Sequence, residues 1–208
     1  MDISLPLAIA VVGSALFAAG ALLWLVLRTF AFGRTPAAQG WKGVGYAFSK
    51  GMLPWEKESA GRHRLTLAAG MLYHAGAFLA LLQLFTLVVG LHTPGILASC
   101  LRILLPISLL SGVGLLTKRA VLPTLRALSC PDDYAANLMV DLFLLFSFLA
   151  MLDGAWVNWL LGVGVAFFIY LPLGKIRHCV FFFYTRVLFG GFFGRRGVLP
   201  HPRLEGQS

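Results

Sequence analysis

Five stretches of this chain are apolar for long enough to cross a bilayer, and most of its charge is gathered between them. About 20 apolar residues span the hydrocarbon core as a helix. Leu5–Leu27 and Leu65–Leu91 contain no Asp, Glu, Lys or Arg. The third stretch, Ile96–Thr117, is interrupted by Arg102 and Pro106, and the fourth, Ala135–Leu152, holds Asp141. The fifth begins at Ala155 and stays uncharged to Gly174, with helix expected onward to His178 and an extension to about Phe189. Pro172 is expected to bend it, because an internal proline removes a backbone hydrogen bond. Closed β-barrels need short alternating segments, whereas these runs are continuous. The pattern therefore predicts an all-α integral membrane protein, a five-transmembrane-helix bundle forming one membrane domain over residues 1–208.

Composition agrees. The chain is 59% hydrophobic and only 12% charged, with mean hydropathy +0.83; soluble domains carry roughly 25% charged residues. The net charge of +9 would suggest nucleic acid in a soluble protein. Here the basic residues crowd the ends of apolar runs, so they read as topology signals and lipid-headgroup contacts, and no nucleic-acid partner is expected. Seven Lys and Arg lie in 28–64, three in 118–134 and six from Lys175 onward, while 92–95 and 153–154 have none. By the positive-inside rule the N-terminus is outside and the C-terminus cytoplasmic. Segment 28–64 is then a cytoplasmic loop and 190–208 a cytoplasmic tail. Met1-Asp2 lacks a positive n-region, so the first apolar run is expected to remain as a span.

The three cysteines, 100, 130 and 179, have no CxxC spacing and read as packing thiols. Two histidines carry more weight. His74 lies inside the second span, ~14 Å from its start at 1.5 Å per residue. His178 lies at the inner end of the fifth. An imidazole in hydrocarbon needs a partner or a function. Two of them approaching the same face from different helices is an arrangement that can grip a haem iron. Gly70 and Gly76 flank His74 and would let a flat macrocycle approach the helix. Arg64, Lys175 and Arg177 sit at the inner boundary as candidate partners for haem propionates. His63, about three turns before His74, is an interfacial residue, a second ligand or a quinone contact. His92 and His201 read as boundary and surface residues. Arg102 and Asp153 are expected to pair near the outer face. Asp141 reads as a structural charge partner, with an inner polar network or proton relay as the other reading.

Leu-Tyr-His74-Ala-Gly and Leu171-Pro-Leu-Gly-Lys-Ile-Arg-His178, set in five spans, resemble the cytochrome b membrane subunits related to the gamma subunit of respiratory nitrate reductase. That group includes the membrane subunit of heterodisulfide reductase and similar subunits in sulfate-reducer complexes such as the high-molecular-weight cytochrome c complex. Pro54-Trp-Glu-Lys-Glu-Ser is similar to the heterodisulfide-reductase branch. The resemblance implies haem b with His74 and His178 as axial ligands. The nitrate-reductase relatives hold two haems; here Leu84 and Trp159-Leu-Leu-Gly162 occupy the regions of the second ligand pair, so one haem is expected.

These residues lead to an electron-transfer subunit of a membrane-bound respiratory redox complex, not a stand-alone enzyme. The resemblance implies that it would pass electrons between menaquinone, or a neighbouring membrane subunit, and a cytoplasmic iron–sulfur protein resembling heterodisulfide reductase. A periplasmic multihaem cytochrome c is a further candidate partner. The competing readings are a haem-free membrane anchor that docks a soluble redox enzyme, and a small transporter lined by Asp141 and Arg102. The second lacks an inverted repeat.

Overall fold

A computed structural model of the chain describes residues 3–30, 40–53, 63–91 and 93–197. Every regular element among them is helical: α1 (Leu5–Phe30), α2 (Trp41–Phe48), α3 (Arg64–Val89), α4 (Gly95–Val121), α5 (Pro123–Ala127), α6 (Pro131–Leu152), α7 (Val157–Leu173) and α8 (His178–Arg195), with short 3₁₀ turns between. Five are long and apolar enough to cross a membrane: Leu5–Thr29, Arg64–Val89, Gly95–Val121, Pro131–Leu152 and Gly154–Leu173, the last including the 3₁₀ turn that leads into α7. The described residues group into two compact units, Met1–Leu23 with His63–Arg177, and Trp24–Arg62 with His178–Ser208.

In the first unit the connections are short and strongly signalled. Gly90 closes α3 with φ +72, a left-handed conformation that costs glycine least. Gly90 N–H donates to Leu87 O and Leu91 N–H to Thr86 O, the paired bonds of a helix-terminating motif. Pro94 then precedes α4. At the start of α6, Asp133 Oδ2 accepts from Cys130 N–H at 2.9 Å, which caps the helix. The core is aliphatic and aromatic: Leu84, Leu101, Leu105, Phe143, Leu144, Leu160 and Leu161 are fully buried, and Phe143 stacks on Phe167 at 4.9 Å. Large apolar side chains such as Leu65, Ile96 and Leu110 are turned outward, as lipid requires. Small residues bring the helices together, Gly76 against Ser108 and Gly164 against Leu84. Ser108 Oγ also donates to Leu72 O at 2.8 Å, tying α4 to α3.

The fifth span does not run on through His178 as one helix. It ends at Leu173. Pro172 has no N–H to continue the ladder, and Gly174 adopts an extended ψ of −170 while donating to Tyr170 O at 2.8 Å. A Cβ at Gly174 would overlap the Tyr170 ring, so glycine lets the ring lie against the backbone here. Lys175–Arg177 form a 3₁₀ turn, and a separate helix opens at His178.

In the second unit α2 packs on α8 through glycine. Side chains built on Gly40 and Gly43 would overlap the backbone of Gly191, Gly190 and Gly194. Arg186 donates from Nη1 to Ala47 O and Gly51 O, both at 3.0 Å, satisfying carbonyls at the end of α2 and in the turn beyond. Phe48 stacks on Phe183 at 6.2 Å. The segment 54–62, which holds Pro54-Trp-Glu-Lys-Glu-Ser, lies outside the described residues, as do His92 and His201.

The glycine seam gives a direct test. Gly43→Ala is expected to destabilise the α2–α8 packing by about 1–3 kcal/mol, the usual cost of overpacking. Gly45→Ala, two residues away and facing open space, is expected to leave the melting temperature in detergent unchanged or raised. Equal melting curves for the two variants would contradict the packing.

Candidate functional site

Short connections place the start of α3, the end of α4, the start of α6 and the end of α7 at one end of the first unit. There they border a half-open cavity of about 830 Å³, within the size range of ligand pockets. Leu115, Leu122, Leu125 and Leu128 supply apolar wall.

His74 is on that wall. Its Nδ1 lies 2.7 Å from Gly70 O, one turn earlier on α3. A carbonyl can only accept, so Nδ1 carries the proton, and in the neutral imidazole the lone pair is on Nε2. This is how metal-binding histidines are commonly held. Gly70 also lines the cavity, and a Cβ there would meet nothing within 4 Å. The surface beside the imidazole is therefore flat and open, as a planar ligand needs. His63, the residue before α3, lines the same cavity.

Three cations and one carboxylate complete the polar wall. Lys118 Nζ donates to Thr66 Oγ1 at 2.6 Å. Arg119 and Lys175 both hold Asp133, at 2.9 and 2.7 Å. The Asp133 hydrogen bond keeps the Lys175 ammonium above lysine's ordinary pKa. With one carboxylate among Lys118, Arg119 and Lys175, the cavity is net positive and suited to an anionic group.

Of the residues named from sequence, the structure gathers His74, Gly70, His63 and Lys175 here. Arg64 and Arg177 do not line the cavity. Gly76 has a different role from the porphyrin packing expected of it: a Cβ there would overlap Ser108 across the α3–α4 contact, so its small size serves helix packing. Lys118 and Arg119 were not singled out. Their signal was present, two basic residues directly after an apolar run, but only the topology brings them beside His74.

Behind the cavity wall lies a buried polar cluster. Tyr73 and Asn137 line the cavity. Tyr73 O–H donates to Asn137 O at 3.0 Å. Asn137 Nδ2 lies 3.1 Å from Tyr73 Oη, 3.3 Å from Gly112 O and 2.9 Å from Asp141 Oδ2. Asp141 is 5% exposed. Among the described residues it has no ion-pair partner, contrary to the charge-pairing expectation. The expected Arg102–Asp153 pair is absent too; Asp153 Oδ1 instead accepts from Ala155 N–H at 3.0 Å.

His178 is the first residue of α8 and belongs to the second unit, whereas His74 belongs to the first. Comparison of the chain with family models, with characterised proteins and with solved structures finds no match.

The two glycines near His74 should separate experimentally. Gly76→Ala is expected to lower stability by about 1–3 kcal/mol through overlap with Ser108. Gly70→Ala is expected to leave thermal unfolding in detergent unchanged. A Gly70→Ala variant as unstable as Gly76→Ala would contradict the open face beside His74.

Proposed function

We propose that this chain is a haem b-binding electron-transfer subunit of a membrane-bound redox complex. The observation that carries the reading is the His74 cavity. It combines an imidazole with its proton on Nδ1, a side-chain gap at Gly70 and a net positive wall. A bound haem supplies one-electron chemistry, iron(III) to iron(II).

The residues fit that group in distinct roles. His74 Nε2 would be a ligand to the iron. Gly70 leaves space for the macrocycle edge. Lys118, Arg119 and Lys175 stand where carboxylates of the porphyrin would find charge-assisted hydrogen bonds. The leucine wall lowers the local polarity, and with the cations it would tune the potential. His178 would be the second ligand, on the sequence resemblance to the nitrate-reductase gamma and heterodisulfide-reductase membrane subunits. One haem per chain follows from the absence of a second intramembrane histidine pair.

The positive-inside pattern supports a cavity on the cytoplasmic side, and the resemblance implies a bacterial or archaeal cytoplasmic (inner) membrane. Electrons would then pass between menaquinone or a neighbouring membrane subunit and a cytoplasmic iron–sulfur protein resembling heterodisulfide reductase. A periplasmic multihaem cytochrome c would require such a membrane neighbour to bridge the outer half.

Pyridine haemochrome analysis of the purified chain is expected to give one haem b per polypeptide. His74→Ala and His178→Ala are each expected to lower haem content at least ~10-fold, the loss that even outer-shell changes can bring at metal sites. Full haem in both variants overturns the ligand assignment. A folded native chain without haem leaves the membrane-anchor reading.

A further inference from the structure

We propose that Asp141 is a proton site inside the membrane-spanning part of the first unit, reached from the cavity past Tyr73 and Asn137. The proposal stands on these three residues and does not require a haem.

An isolated carboxylate in a low-dielectric interior is too costly to persist; it acquires a counter-charge or is neutralised. Asp141 is buried, and one of its oxygens is only half the problem. Oδ2 accepts from the Asn137 amide; Oδ1 has no hydrogen bond of good geometry among the described residues, and the Tyr73 hydroxyl is the polar side-chain group beside it. The groups at this carboxyl are Tyr73 from α3, the Gly112 carbonyl and Cα from α4, and Asn137 from its own helix. None of them is a cation. From α7, Tyr170 is engaged instead with Asp132. The charged and titratable side chains Lys118, Arg119, Lys175, Asp133, His63 and His74 line the cavity, on the other side of Tyr73 and Asn137.

Space decides what neutralises the charge. A Cβ built on Gly112 would overlap both Asp141 Oδ1 and the Tyr73 ring. A proton is the neutralising group that needs no coordination shell in this close packing. Asn137 offers two N–H bonds to three oxygens, so the cluster has one more acceptor than that amide can serve. A proton on Asp141 adds the missing donor. The step is a transfer of one proton from cavity water to Asp141, converting the carboxylate to a neutral carboxyl and leaving hydroxide for the bulk buffer. The Tyr73 hydroxyl, both donor and acceptor and itself on the cavity wall, is the group placed to pass it.

On the haem reading, an electron arriving in the cavity favours this proton, so redox and protonation are linked. That link rests on the proposed function; the proton site does not.

The test is pH-difference infrared spectroscopy of the full chain in liposomes. A carboxylic C=O band is expected to gain and lose intensity with pH. Asp141→Asn, which keeps an acceptor for Asn137, is expected to delete the band, and Asp141→Glu to shift it if the first variant folds poorly. Tyr73→Phe is expected to keep the band but slow its response to deuterium oxide several-fold. A band unaltered in both Asp141 variants overturns the proposal. So does a band removed by sodium at fixed pH, which would make the cluster a cation site. In the haem-loaded chain the midpoint potential is expected to fall with rising pH, less steeply in Asp141→Asn. Haem bound with equal slopes in both removes the redox link. A haem-free chain removes the haem reading and leaves the infrared result to decide the proton site.

Discussion

Inside hydrocarbon a polar atom has no water to turn to, so each must find its partner within the protein. The first unit meets this condition largely with backbone helices and leucine-rich contacts, and it gathers much of its side-chain polarity in one place. Tyr73, Asn137 and Asp141 bond one another, Lys118 bonds Thr66, and Asp133 holds Arg119 and Lys175. All of these surround or back the same cavity as His74. Groups this expensive to bury, drawn together around an open space, mark where the chain departs from simple membrane packing.

The His74–Gly70 bond shows how local geometry becomes chemistry. A glycine four residues before a histidine lies on the same helical face. It supplies both the carbonyl that fixes the imidazole's proton and the gap in the wall beside it. The same residue thus orients the donor atom and clears its approach. Around that centre the cations set an electrostatic preference for an anionic ligand, and the leucines keep the medium apolar.

The spans were legible because uncharged runs of that length have one stable state in a bilayer, and their ends fall within a few residues of the expected ones. The exception is the fifth. Pro172 and Gly174 together stop the helix, where a proline alone would have bent it. Gly76 was misread for a reason visible in the sequence: two residues beyond His74 is roughly 200° around the helix, on the opposite face. Lys118 and Arg119 were not legible as site residues, because their place depends on where α4 ends relative to α3. The isolation of Asp141 was hidden too, since charge counts along a chain do not reveal which face of a helix a cation occupies.

Near-infrared magnetic circular dichroism of the oxidised, purified chain reads the axial ligands of a haem iron directly. The account predicts one low-spin iron per chain with two imidazole ligands. A folded protein that holds no iron, or iron with a single imidazole, would contradict it.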